Sequence, residues 1–212
     1  MQFIVTAGPT REHIDPVRFL SNPSTGRMGF AVARAARAAG HAVTLVAGPV
    51  ALKTPPGVRR VDVVSSREML AAVRAAVAGA DVLVMTAAVA DWRPARCAKK
   101  KLKKSEMTDT LKLVRNPDIL KSVRGPRIRI GFAAETGLPD AEAARKCREK
   151  NLDLVVGNDV TRPGAGFDVD TNIVTFVTNE KQETLPCLPK TQVAEELLDR
   201  AMAIFQMIKF QN

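Results

Sequence analysis

The chain has 212 residues and a net charge of +10, from 32 lysines and arginines against 22 aspartates and glutamates. That length holds one good hydrophobic core or two small ones. No uncharged apolar run reaches the roughly 18 residues of a transmembrane helix, and three scattered cysteines without a Cys-x-x-Cys pair argue against a disulfide framework or a zinc site.

Residues 2–7 read as a buried strand. Met1 leads straight into it with no basic, apolar and small-residue leader, so a cytoplasmic location is expected. The long connection that follows, with Pro16 and Pro23 inside it, exceeds a usual strand-to-helix loop, and such excess is often functional. A helix is predicted over residues 27–39, with Phe30, Val32, Ala33 and Ala36 among its apolar positions and Gly40 as its stop. Residues 42–47 and 61–64 are the next strands, and Ser65-Ser66 caps a helix over 67–78. Residues 81–90 run apolar, the pattern of a strand buried on both faces. Residues 92–112 then lose periodicity and gather Arg96, Lys99, Lys100, Lys101, Lys103 and Lys104. They read as a mobile basic flap or as a strand pair without its own core. Asn116 reads as an N-cap with Pro117 in the first helical position. Strands at 127–134 and 152–157 flank a charged helix at 139–151. Residues 172–177 and 183–185 resemble a hairpin turning at 179–182, and the last helix begins near Thr191. The alternation predicts an α/β fold, with residues 1–212 as a single domain. Its sheet is doubly wound, Rossmann-like and mostly parallel, with a C-terminal β-hairpin extension at one edge.

Basic chains bind nucleic acid, membranes or phosphorylated small molecules. One Trp, no Tyr and no basic tract interleaved with stacking aromatics make nucleic acid the less favoured partner. A doubly wound sheet suggests NAD(P), but Gly8-Pro9-Thr10 and Gly26-Arg27-Met28-Gly29 do not spell Gly-x-Gly-x-x-Gly. The second strand ends in Gly48-Pro49, where an acidic ribose ligand belongs. A Walker-type Gly-x-x-x-x-Gly-Lys-Ser/Thr is absent too. His13 and His41 offer little to a metal cage or a Ser-His-Asp set. The stretch Ser21-Asn22-Pro23-Ser24-Thr25-Gly26-Arg27-Met28-Gly29 opens the first helix, where an anion meets free backbone N–H groups. Taken alone it reads first as an N-cap, Asn22 as a loop residue, and the lysine run as a solvated surface. Asp91 directly follows an apolar strand end, a ligand-facing place where a carboxylate can hold a divalent cation or a ribose hydroxyl. Lys146 and Lys150 lie four apart on one helix. Together these parts form a polyanion site of the kind phosphoryl and nucleotidyl chemistry uses.

Several ordered stretches also carry a resemblance: Thr6-Ala7-Gly8-Pro9-Thr10-Arg11-Glu12, Asp15-Pro16-Val17-Arg18, the 21–29 stretch and Ala87-Ala88-Val89-Ala90-Asp91-Trp92-Arg93-Pro94. Lys101-Leu102-Lys103-Lys104, Asn116-Pro117-Asp118-Ile119, Gly131-Phe132-Ala133-Ala134-Glu135-Thr136 and Asn158-Asp159-Val160 follow. In these the chain resembles phosphopantothenoylcysteine synthetase, the ligase of coenzyme A biosynthesis, over essentially its whole length. The resemblance implies that CTP activates 4′-phosphopantothenate to an acyl-cytidylate and pyrophosphate, and that L-cysteine then takes the acyl group, releasing CMP. It implies Asn22 and Lys101 as the catalytic residues, Asn22 on the acyl intermediate and Lys101 on the phosphates from a flap over about 92–112. The nucleotide would be bound by Ser24, Gly26, Ala87, Ala88, Asp91, Lys101, Pro117, Asp118, Ile119, Leu120, Phe132, Lys146 and Lys150. Substrate contacts would come from Asn22, Arg18 and Asn158, with Mg²⁺ at Asp91. A homodimer is implied, with an active site drawing on both subunits and no nucleic-acid or membrane partner. The alternative is a non-catalytic basic nucleotide- or RNA-binding α/β module.

Overall fold

A computed structural model describes residues 1–106, 109–137 and 140–210. Its main sheet has eight strands: β1 (Gln2–Ala7), β2 (Ala42–Ala47), β3 (Arg59–Asp62), β4 (Val82–Met85), β5 (Ile128–Glu135), β6 (Leu154–Asp159), β7 (Thr175–Val177) and β8 (Gln182–Thr184). Their spatial order is β8-β7-β6-β5-β4-β1-β2-β3. The first six strands pair in parallel, while β7 and β8 pair antiparallel. From β3 to β6 this is the 3-2-1-4-5-6 order of a Rossmann-like doubly wound sheet. The expected C-terminal hairpin extends its edge.

Residues alternate across a strand. In β1, Phe3, Val5 and Ala7 face one side, where α1 (Arg27–Ala38) and α5 (Lys190–Phe210) bring Phe30, Val32 and Leu197. Ile4 faces the other side, covered by Met69 of α2 (Ser66–Ala76), Leu120 of α3 (Ile119–Ser122) and Cys147 of α4 (Asp140–Lys150). Each such side chain contributes about 1.5–3 kcal/mol on burial. Covering both faces is what makes the central strands β1 and β4, with β2 beside them, continuous apolar runs.

The structure differs from the sequence expectations in three places. The strand expected at 81–90 ends at Met85. Beyond it a single parallel bridge joins Pro9 and Ala88, and the Thr6 and Thr10 hydroxyls accept from Ala87 N and Ala90 N at 3.2 and 3.0 Å on either side of it. The long first connection contains an antiparallel pair, Arg11–His13 with Phe19–Ser21. Asp118, not Asn116, caps α3, accepting from Lys121 N at 3.1 Å. Trp92–Pro94 pairs with Leu113–Arg115, so the strand-pair reading holds at the base of the 92–112 stretch. Residues 107 and 108 of that stretch, and the predicted start of α4 at Pro139, lie outside the described residues.

Three glycines bring the end of β1 against the start of α1. Gly8 and Gly26 have φ of 78° and 79°, the left-handed region. A Cβ on Gly26 would sit 3.3 Å from Gly8 N, and one on Gly29 would meet Ala7 Cβ at 2.5 Å and the Thr6 carbonyl at 2.8 Å. Tight turn, close backbone approach and close helix–strand packing are the three tasks of a dinucleotide-type glycine loop. Gly8, Gly26 and Gly29 perform them here with residues 9–25 inserted between the first two.

Candidate active site

A cleft of about 430 Å³ opens at the carboxyl ends of β4 and β5. In a doubly wound sheet this is where strand ends leave space for ligands. Ala87 and Asp91 form one wall, Pro117, Asp118, Ile119 and Leu120 another, and Phe132, Lys146 and Lys150 the third. The walls are tied together by Asn116. Its amide donates to Ala90 O at 2.8 Å, its own N–H donates to Asp91 O at 2.8 Å, and its side-chain oxygen accepts from Arg93 at 3.0 Å. The N-cap role expected for Asn116 is therefore replaced by cross-linking. Trp92 lines the cleft with the Arg115 guanidinium over its ring, 5.2 Å from the centroid.

The cleft is electrostatically uneven. Lys150 pairs with Asp118 at 2.8 Å. Burial alone would raise the Asp118 carboxyl, but the bonds from Lys150 and Lys121 N outweigh it and hold it below its ordinary range. Lys146 donates to the Phe132 carbonyl. Burial, with Lys150 nearby, pushes its ammonium below the usual lysine range. An entering polyanion would favour the charged form of Lys146 and oppose that of Asp118. The Asp91 carboxylate is exposed and makes no hydrogen bond or ion pair among the described residues. No cluster of three or more His, Cys, Asp or Glu suited to a metal occurs among those residues.

A second pocket, about 70 Å³, lies at the start of α1 and shares Phe132 with the first. Ser24, Gly26, Asn158 and Lys190 line it. The N-cap reading of Ser24-Thr25 does not hold. Ser24 Oγ accepts from Gly26 N at 3.4 Å, Thr25 Oγ1 donates to Phe167 O at 2.8 Å, and Gly26 occupies the cap position with no side-chain bond to the helix. No side chain caps the first-turn N–H groups, and Gly29 brings that turn against β1. Asn158 is 9% exposed, and its side-chain amide makes no hydrogen bond among the described residues.

The remaining expected residues surround these cavities without lining them. Asn22 Nδ2 donates to Ala88 O at 3.1 Å, joining the α1 approach to the loop after β4. Ala88 N in turn donates to Gly8 O at 3.0 Å. Arg18 pairs with Asp15 at 3.4 Å and donates to Leu102 O at 3.2 Å. Lys101 is exposed and lines neither cavity. Trp92, Arg115, Asn116 and Lys190 are the site residues that sequence reasoning missed. A strand-pair reading of 92–115 exposes the first two, whereas nothing in the local sequence marks Asn116 as a cross-link or Lys190 as a pocket wall.

The model of the DNA/pantothenate metabolism flavoprotein C-terminal domain family matches residues 1–205. The chain is 44% identical over 207 residues to the Coenzyme A biosynthesis bifunctional protein CoaBC of Vibrio vulnificus strain CMCP6, covering 95% of this chain and 52% of that protein. It is 45% identical over 206 residues to the protein of the same name from Escherichia coli strain K12, covering 94% and 51%. It thus spans about half the length of the curated relatives it matches. The crystal structure of the C-terminal domain of Coenzyme A biosynthesis bifunctional protein CoaBC superposes with a TM-score of 0.81 at 40% identity, covering 97% of this chain and 96% of that one.

Proposed function

The chain belongs to the DNA/pantothenate metabolism flavoprotein C-terminal domain family, and on that premise we propose that it is a phosphopantothenate–cysteine ligase of coenzyme A biosynthesis. The carboxylate of 4′-phosphopantothenate attacks the α-phosphorus of CTP. Pyrophosphate leaves and an acyl-cytidylate forms. The amine of L-cysteine attacks the acyl carbon, CMP leaves, and the nitrogen loses a proton as the amide forms. The substrate carboxylate is the nucleophile, so no enzyme nucleophile is needed.

The observation that carries this reading is the convergence of Asp91, Pro117, Phe132, Lys146 and Lys150 on one cleft, joined through Phe132 to the Ser24, Gly26 and Asn158 pocket. The lysines and the first-turn N–H groups of α1 neutralise charge that builds on the departing pyrophosphate. Lys101 approaches from the basic stretch. Asn22 is neutral, so it donates to an acyl oxygen without trapping the substrate carboxylate in an ion pair. Mg²⁺ fits the donor set. It binds through one or two carboxylates plus substrate phosphates; Asp91 is the uncommitted carboxylate of the cleft, and Asp118 is held by Lys150. When bound, the ion offsets triphosphate charge. Residues 1–212 act as a single domain, in a homodimer and in the cytoplasm. Free Cys97, Cys147 and Cys187 suit a reducing compartment.

The test is pyrophosphate release from CTP with 4′-phosphopantothenate and Mg²⁺, before any cysteine is added. Release that depends on phosphopantothenate is expected. Absence of pyrophosphate from folded protein overturns the reading.

A further inference from the structure

Asp15 lies at the turn of the hairpin formed by residues 11–21. Its carboxylate is completely buried, with 0% side-chain exposure. One oxygen, Oδ1, accepts from Val17 N and Arg18 N, both at 2.8 Å. These two bonds close the local turn and explain an aspartate there. The other oxygen does something the turn does not require. Oδ2 accepts from Leu102 N at 3.2 Å and pairs with Arg18 at 3.4 Å, while Arg18 also donates to Leu102 O. A further backbone bond joins Ala98 N to Ile14 O at 2.9 Å. The segment carrying Lys101 is therefore fastened to the hairpin that leads into Asn22.

Burying a carboxylate is costly unless its charge is matched. Burial opposes the charged form of Asp15, and the N–H bonds of Val17, Arg18 and Leu102, with the Arg18 charge, more than offset it. A neutral serine or asparagine would close the same turn, so the charge is spent on the long-range partner. Leu102 is one residue from Lys101, and its backbone position sets where that lysine leaves the chain.

We propose that Asp15 is a positioning residue: its Oδ2 clasps Leu102 and thereby fixes the basic segment of residues 98–103 beside the Asn22 side of the site. This rests on the ligase reading for its kinetic consequence and on geometry alone for the clasp. Lys101 and Asn22 serve different anions, and Asp15 sets the spacing between the elements that bear them.

Asp15→Asn separates the two roles of the carboxylate. The amide oxygen still accepts from Val17 N and Arg18 N. The NH₂ group cannot accept from Leu102 N or pair with Arg18. Limited trypsin digestion reads the clasp directly, because Lys99, Lys100, Lys101, Lys103 and Lys104 are all exposed cleavage points. Cleavage confined to residues 99–104 is expected to quicken roughly tenfold, the factor corresponding to one charge-assisted hydrogen bond, with other sites unchanged. Pyrophosphate release is expected to fall in kcat by a similar factor, with the KM for CTP changed less than about twofold. Leu102→Pro removes the same N–H from the other side and, read at Lys99, Lys100, Lys103 and Lys104 because trypsin does not cut a Lys–Pro bond, supplies the test if Asp15→Asn misfolds. Wild-type cleavage rates at 99–104 in a folded variant overturn the clasp. Quickened cleavage with unchanged kcat overturns the positioning role. If the wild type releases no pyrophosphate, the ligase reading fails, while the digestion still decides the clasp.

Discussion

At the scale of single residues, the cleft holds charges that are unfavourable until a ligand arrives. Lys146 is the clearest case. Burial, with Lys150 adding, lowers its pKa from the ordinary 10.5. The unfolded chain then binds that proton more tightly than the folded one. Stability of the ligand-free protein accordingly rises with pH from the folded value of Lys146 up to the ordinary lysine range. Lys146→Met, similar in reach and uncharged, is expected to flatten that rise in thermal melts between neutral and alkaline pH. It should also cut CTP-dependent pyrophosphate release by roughly tenfold or more. A variant that keeps both the rise and the rate removes Lys146 from the site. Asn22 is anchored by its amide to Ala88 O. Asn22→Asp places a like charge beside an acyl phosphate. It should leave pyrophosphate release within a few-fold of wild type while product formation falls by roughly 10²–10³, the loss typical of one oxyanion donor. Normal product formation in that variant would assign Asn22 another role.

Among the elements, the hairpin of residues 11–21 is bound to the sheet by side chains that reach outward from it. Glu12 is 3% exposed, and its Oε1 accepts from Ser66 N at 2.8 Å, the first N–H of α2. Helix first-turn donors have no partner within the helix. Glu12→Ala strands that donor in a buried place and is expected to cost about 1–3 kcal/mol in urea unfolding. Glu12→Gln keeps the accepting oxygen and should cost less than about 1 kcal/mol. Equal losses in the two variants would mean that charge, not the hydrogen bond, matters. The same hairpin shows where sequence reasoning stops. β1, β2 and β4 were legible because strands covered on both faces become unbroken apolar runs. The strands of the hairpin are three residues each and mix Arg11, Glu12 and His13 with Phe19, Leu20 and Ser21, so no period appears. Their partners, Val64 O for Arg11 N and Ala88 O for Thr10 N, lie more than fifty positions away. The cleft divides likewise. Lys146 and Lys150 were legible from their helix spacing, whereas Asp91 reaches the cleft although its strand ends six residues earlier, at Met85. Trp92 and Arg115 meet only once two short strands pair, and the Pro117 that follows Asn116 makes it read as a cap.

For the whole molecule, the arrangement of the two hairpins bears on assembly. The Arg11–His13 strand lies against Trp92–Pro94. Val17, Phe19, Trp92 and Leu113 leave large apolar side chains exposed on these two ribbons, the kind of surface that association covers. With Arg18 and Lys101 outside the cavities of their own chain, a second copy is the natural way to complete the site. Sedimentation is expected to give about twice the chain mass of 22.9 kDa, and Trp92→Ala to shift the species toward monomer. A monomer at micromolar concentration would refute that assembly. The glycine arrangement has a consequence of another sort. Residues 9–25 leave the sheet at Gly8 and return at Gly26, whose ideal Cβ position is 3.3 Å from Gly8 N. A segment with touching ends costs its host little to carry, since closure entropy grows only slowly with length. It can vary in length between its anchors as long as Thr10, Glu12 and Asn22 keep their bonds to Ala90 N, Ser66 N and Ala88 O. The stretch is thus an insert held to the sheet by its touching ends and by three side chains. Exchanging residues 9–25 for those of a family member that keeps the three anchors should leave the thermal midpoint close to that of the parent, whereas an exchange that loses the Glu12 carboxylate should lower it.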